Sequence, residues 1–207
     1  MTRSIAFVLF DGAEELDFVG PWEVFTMVNV ALRDADAVRA FIVSEHGGTV
    51  RCAKGMRIES DVSFGDCPPA NIVLVPGGQG TRTEATNATM LDFVRRMDAG
   101  SELTTSVCTG SFVLEAAGLL TGKRATTHWA SIERLRERGT VEVDGATRFV
   151  DEGRYLTAAG VSAGIDMALH IVGRLWGPAV ARLTQKAMEY FPEPPYADVP
   201  MPEFAER

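Results

Sequence analysis

Cys108 stands where a chain makes a nucleophile. It closes the stretch Ser106-Val107-Cys108-Thr109-Gly110-Ser111, with the β-leaning run Glu102-Leu103-Thr104-Thr105 ahead of it and the apolar, helix-spaced run from Phe112 to Leu120 behind it. A cysteine at such a strand-to-helix corner lies at the positive end of the helix dipole, which favours its thiolate. The small residue and glycine that follow permit the sharp turn that projects a nucleophile from a sheet edge. A free cysteine is more often a small buried hydrophobe. The polar flank of threonines and serines argues against simple core filling here. Cys52, beside Arg51, and Cys67, ahead of Pro68-Pro69, lack such a setting and read as incidental.

A thiol that reacts needs a proton partner and a place for developing charge. Asp17 begins a helical pattern just after the first apolar run, so its simplest role is an N-cap. If that loop opens toward Cys108, a buried carboxyl there would have a raised pKa and could exchange protons with a reacting group. Glu14 and Glu15 read as solvated neighbours. Gly77-Gly78 offers backbone N–H groups and Thr109 another, a pair of donors suited to an anion hole; a tight turn alone would also explain the glycines. No Gly-Lys-Ser/Thr follows, so the loop does not read as a phosphate cradle. His128, in Thr126-Thr127-His128-Trp129, could serve as base, orient a substrate or simply pack. With His46 and His170 scattered elsewhere, no metal site is expected.

The elements that must position these residues alternate. Residues 5–10, 38–44, 72–75, 102–107, 124–127 and 155–158 read as strands, several of them continuously apolar, as strands covered on both faces are. Residues 17–30, 91–97, 112–120, 130–138, 162–176 and 179–190 read as helices, with Pro21 suited to a first turn. Asp144-Gly145, between 141–143 and 148–150, resembles a hairpin turn. The expectation is one doubly wound α/β domain over residues 1–195, a mostly parallel sheet with helices on both faces, and an acidic, proline-bearing tail over 196–207. In such a sheet the loops after the first strand, after 72–75 and at Cys108 converge beyond the carboxyl ends.

Composition narrows the partners. A net charge of −8 disfavours nonspecific binding to nucleic acid or anionic membrane. The first ten residues lack the pattern of a secretory signal, and no stretch approaches the roughly 20 apolar residues of a membrane span. Three irregularly spaced cysteines form no disulfide framework, so a reducing, cytoplasmic location is expected.

Taken in order, Ala13-Glu14-Glu15-Leu16-Asp17, Gly20-Pro21-Trp22-Glu23-Val24-Phe25, Val75-Pro76-Gly77-Gly78, Ser106-Val107-Cys108-Thr109-Gly110 and Ala125-Thr126-Thr127-His128-Trp129 resemble the ThiJ/PfpI superfamily over nearly the whole chain. Phe64-Gly65-Asp66-Cys67-Pro68-Pro69, the run from Ala116 to Trp129 and Ala163-Gly164-Ile165-Asp166 look most like its isocyanide hydratases. The resemblance implies a flavodoxin-like fold, a homodimer and a small electrophilic substrate, with no cofactor or metal. It makes Cys108 the nucleophile and Asp17 its carboxyl partner, with the N–H groups of Thr109 and Gly78 opposed. The implied adduct is a thioimidate that water resolves to an N-substituted formamide. Peptidase relatives carry histidine directly after the cysteine; Thr109 stands there, so peptidase activity is not expected. Glyoxalase and deglycase relatives generally carry glutamate where Asp17 stands, one methylene longer, which leaves a 2-oxoaldehyde substrate open. A non-enzymatic alternative is a ligand sensor like the amino-terminal module of AraC-type regulators. The chain stops at Arg207 without room for their DNA-binding domain, so nucleic-acid binding by it alone is not expected.

Overall fold

Alternate residues of the strands at 5–10 and 72–75 enter two different cores, which is why those two runs are apolar without a break. Ile5, Phe7 and Leu9 pack into one layer, Ala6, Val8 and Phe10 into the other. The computed structural model describes residues 2–198. Its strands are β1 (Arg3–Val8), β2 (Val38–Ser44), β3 (Gly48–Arg51), β4 (Arg57–Ser60), β5 (Val62–Ser63), β6 (Ile72–Val75), β7 (Leu103–Val107), β8 (Arg124–Ala125), β9 (Glu142–Val143), β10 (Phe149–Glu152) and β11 (Tyr155–Ala158). Its α-helices are α1 (Glu15–Leu32), α2 (Thr81–Glu84), α3 (Ala88–Gly100), α4 (Gly110–Ala116), α5 (Ile132–Arg136), α6 (Ala163–Trp176) and α7 (Pro178–Ala187).

The main sheet runs β10-β11-β7-β6-β1-β2-β5, parallel throughout except for the antiparallel edge strand β10. Helices α1, α6 and α7 cover one face, α3 and α4 the other. The expected doubly wound α/β architecture is the observed one. Strand order reverses direction between β1 and β6, so the crevice beyond their carboxyl ends is the place where such a sheet binds ligands.

Several local expectations need correction. Asp144-Gly145 does not close a hairpin. β9 pairs in parallel with β8, and the hairpin is formed instead by β10 and β11 around Gly153 at φ 75°. Asp144 uses its carboxylate to cap the Ala146 and Thr147 N–H groups of the intervening loop. The segment 130–138 is a 3₁₀ turn, Trp129–Ser131, followed by the short α5. The two-stranded β3–β4 ribbon and the short β5 carried too few apolar residues to be read. Pro21 lies past the first turn of α1, not within it. There it is buried, and a Cβ on Gly164 would lie 3.1 Å from its Cγ and 3.0 Å from Val107. Close approach of α6 to both α1 and the end of β7 thus depends on Gly164, and it holds the two segments that carry Asp17 and Cys108. The tail assigned to 196–207 lies mostly outside the described residues.

Candidate functional site

The elbow at Cys108 is built as its sequence implied. Cys108 adopts φ 56°, a left-handed conformation uncommon for any residue with a side chain. Its N–H donates to the carbonyls of Ala158 (3.0 Å) and Ala159 (2.9 Å), and its own carbonyl accepts from the hydroxyls of Thr127 (3.0 Å) and Ser111 (3.2 Å). Gly110 is obligatory on the far side, because a Cβ there would strike the backbone of Val75 and Pro76. The end of β11, Thr127 and the first turn of α4 therefore hold the cysteine in its unusual conformation.

The loop after β1 is stitched to the loop after β6 by an antiparallel bridge between Ala13 and Gly78, with the Glu14 N–H donating to the Gly77 carbonyl at 2.9 Å. This stitch brings Asp17 to the cysteine. The Asp17 carboxylate is fully buried, and its Oδ2 accepts from the Gly77 N–H at 2.8 Å. A Cβ placed on Gly77 would lie 2.8 Å from both Asp17 Oδ2 and Cys108 Cβ, and 2.5 Å from the Thr109 nitrogen. Gly77 is thus the point where carboxylate, cysteine and helix start meet, and no side chain fits there. As an N-cap, Asp17 is superseded: α1 begins two residues before it.

Burial pushes the Asp17 carboxyl up from 3.8 to about 7, with Glu14 adding to the rise; the Gly77 N–H and the Cys108 thiol oppose it. Burial likewise pushes the Cys108 thiol up to about 12, with the Asp17 charge adding to it. The N–H groups of Thr109 and Val161 and the Thr109 hydroxyl favour the thiolate but do not outweigh burial. The resting thiolate expected from the helix dipole gives way to a neutral thiol beside a carboxyl that titrates near neutrality. The helix is a seven-residue segment, whereas burial of the sulfur is nearly complete.

The anion hole is also rearranged. The Gly78 N–H is already committed to Thr109 Oγ1 at 3.0 Å, and the Gly77 N–H to Asp17. The backbone groups that favour negative charge on the sulfur are the N–H groups of Thr109 and Val161. Gly78 instead supports the site structurally, at φ 111° and in backbone contact with Gly12. The Thr109 hydroxyl also accepts from Thr81 Oγ1 at 3.1 Å, tying the elbow to α2.

Cys108 opens into a cavity of about 320 Å³ whose walls include Glu14, Gly78, Arg82, His128, Arg134 and Val161. Asp17 is not in the wall; it lies beneath the cysteine. His128 is therefore brought to the site, with Nδ1 accepting from the Ala130 N–H at 3.3 Å and its pKa lowered by burial. A Cβ on Gly160 would lie 2.5 Å from its ring, so that glycine makes room for it. Glu14 and Glu15 are not simply solvated: Glu14 pairs with Lys54 Nζ, and Glu15 accepts from the Lys54 N–H at 2.7 Å. Cys52 and Cys67 lie away from the cavity wall, both with pKa values raised by burial. Val161, Arg82 and Arg134 were missed in the sequence. Val161 carries no side-chain chemistry, and the arginines read as ordinary surface charge. Among the described residues no cluster of histidine, cysteine or acidic side chains is arranged to hold a metal ion.

A buried carboxyl under an elbow cysteine, at the switch point of a flavodoxin-like sheet, defines a class of protein, and comparison with known proteins gives that class its name. The model described as the DJ-1/PfpI family matches residues 3–174, and the chain belongs to this family. Isonitrile hydratase of Pseudomonas putida is 39% identical over 196 residues, covering 95% of this chain and 82% of the relative. The HTH-type transcriptional regulator CdhR of Pseudomonas aeruginosa is 30% identical over 181 residues; the match covers 87% of this chain but only 53% of the regulator. A crystal structure of a ThiJ/PfpI family protein from Pseudomonas syringae superposes with a TM-score of 0.87 at 32% identity, covering 97% of this chain and 80% of that one.

Proposed function

We propose that this protein is a cysteine-dependent isocyanide hydratase, adding water to an isonitrile to give an N-substituted formamide. The observation that carries the reading is Cys108, held at φ 56° over a fully buried Asp17 and opening into a small cavity. The 39% identity to an isonitrile hydratase supports it.

In this reading the Cys108 sulfur attacks the terminal isocyanide carbon, forming the C–S bond. The thiol proton passes through Asp17 to that carbon, giving a thioimidate, R–N=CH–S–Cys108. A carboxyl with a pKa near 7 can both take and return this proton. Water then adds to the thioimidate carbon, one proton going to nitrogen. Collapse breaks the C–S bond, releases R–NH–CHO and returns the proton to sulfur. The Thr109 and Val161 N–H groups favour negative charge on the departing sulfur. Thr109 in place of histidine leaves no Cys-His dyad, which supports a hydratase over a peptidase. A homodimer belongs to the same reading, with Leu16 and Val19 exposed on α1 beside Asp17.

The test is direct. With p-nitrophenyl isocyanide the protein should release the formamide, and Cys108→Ala should abolish the reaction. Formamide production that survives this substitution overturns the mechanism. Consumption of methylglyoxal without any isocyanide turnover would replace the hydratase with a 2-oxoaldehyde enzyme at the same cysteine. Saturable ligand binding with neither turnover would make the chain a sensor.

A further inference from the structure

Two arginines, Arg82 and Arg134, line both the Cys108 cavity and the neighbouring cavity beside Phe112, and neither has a carboxylate partner among the described residues. Arg82 is carried by α2, immediately after Thr81, whose hydroxyl reaches Thr109. Arg134 is carried by α5, its guanidinium carbon 4.4 Å from the centroid of the Phe112 ring. Their neighbour Arg138 is neutralised by Glu115 at 3.0 Å. The pKa of Arg134 is lowered by partial burial and by the charges of Arg82 and Arg138. Glu14 is the one carboxylate in the wall among the described residues, and it is held by Lys54.

Two guanidinium groups without carboxylate partners, close enough for the charge of one to act on the other, suit an anion with a pair of oxygens. A volume of about 320 Å³ must also accommodate the reacting carbon, so the anion has to be small. We infer that Arg82 and Arg134 form a carboxylate subsite, and that the substrate of Cys108 carries a carboxylate on the group attached to its electrophilic carbon-nitrogen unit. The isocyanide part of that statement rests on the hydratase reading. The carboxylate part rests on the arginines alone. In the balanced reaction the carboxylate is a spectator: it anchors the substrate while C–S bond formation, proton return and C–S cleavage occur at the other end.

Isocyanoacetate and its methyl ester differ by this one charge. The wild-type kcat/KM should favour the acid over the ester, and Arg82→Gln or Arg134→Gln should each lower that acid-to-ester ratio about tenfold, on the scale of one charge-assisted hydrogen bond. Arg134→Lys, which keeps charge but loses the planar fork, should fall between. Because both substrates are measured on the same protein, partial misfolding of a variant cancels from the ratio. A ratio near one in the wild type, unchanged in both glutamine variants, overturns the subsite while leaving the hydratase standing. A second arm separates the two ideas. Calorimetric binding of N-formylglycinate to the Cys108→Ala protein should weaken about tenfold when Arg82→Gln or Arg134→Gln is added. If no isocyanide turns over yet this arginine-dependent binding holds, the subsite stands and the hydratase falls. Binding indifferent to both arginines overturns the subsite whatever the turnover.

Discussion

The floor and the rim of the Cys108 cavity are built by different means. On the floor, Asp17, Gly77 and Cys108 are buried and close-packed, and both glycine N–H groups above the carboxylate are already committed to partners. On the rim, Arg82, Arg134 and His128 are exposed or half-buried and ride on one-turn helices or a 3₁₀ turn. A floor of this kind cannot change by an atom without moving the reacting groups. A rim of this kind can change side chains without moving the backbone. The contrast separates chemistry from selection: floor substitutions should act on kcat, rim substitutions on KM and substrate preference.

Asp17→Asn should give the largest effect short of removing the sulfur, a loss of about a thousandfold in kcat on the proposed role of Asp17 as carrier of the thiol proton. In the wild type kcat/KM should rise with pH through about 7 as Asp17 ionises, and that inflection should vanish in the variant. The same group predicts a stability profile. Its folded pKa is raised from 3.8 to about 7, so the folded state prefers the protonated form. The resulting stabilisation is complete below 3.8 and is lost as pH climbs through about 7, with a ceiling of about 4 kcal/mol. Thermal unfolding midpoints should therefore fall from pH 5 to pH 8 in the wild type and much less in Asp17→Asn. Parallel curves for the two proteins would mean that Asp17 does not carry this buried-charge cost. Any Cys108 contribution falls in a separate window, from about 9 to about 12.

Gly77→Ala tests the packing of the floor without touching a functional group. Its Cβ would lie 2.8 Å from both Asp17 Oδ2 and Cys108 Cβ, closer than unbonded atoms tolerate. We expect about a hundredfold loss of kcat, on the scale of an ångström of misplacement. Gly100→Ala, whose added Cβ meets nothing within 4 Å, should leave activity at the wild-type level. Equal activity for the two variants would show that the floor is softer than its geometry implies.

The floor and the rim also differ in how far they could be read in advance. Cys108, Thr109 and Gly110 are contiguous, and the two strands that deliver Asp17 and Gly77 are unbroken apolar runs, so local pattern led to the right residues. What pattern did not reveal was who bonds to whom. Gly78 looked like a free donor, but its N–H is taken by the hydroxyl of the residue that follows the cysteine. Val161 lines the cavity with its backbone at φ 47°, a conformation that no valine advertises, and its N–H favours negative charge on the sulfur. Arg134 sits in a charged stretch whose composition reads as a solvated helix; its place in the wall and its 4.4 Å approach to the Phe112 ring are products of tertiary packing. The misread hairpin has the same origin: Asp144-Gly145 has the chemistry of a turn, but strand pairing is decided by the sheet edge available to β10.

Thr109→Ala removes the acceptor for the Gly78 N–H and the link to Thr81, leaving a half-buried donor without its partner. A loss of about tenfold in kcat is expected, with Thr109→Ser restoring most of it. Failure of serine to rescue would point to the methyl group, and hence to packing.

His128→Gln should do least. The ring lies in the wall, its Nδ1 accepts from the Ala130 N–H, and burial keeps its pKa below the ordinary 6.5, so it enters the reaction neutral and already oriented. Glutamine can restore an acceptor near that N–H, and the proton work is assigned to Asp17. The expected change is about threefold in KM with kcat nearly unchanged, the scale of one exposed polar contact. If kcat instead falls thirtyfold or more and the rise through pH 7 moves, His128 is a proton carrier and belongs to the floor. The division between a rigid chemical base and an adjustable rim would then have to be redrawn around Gly160, whose missing side chain makes room for the ring.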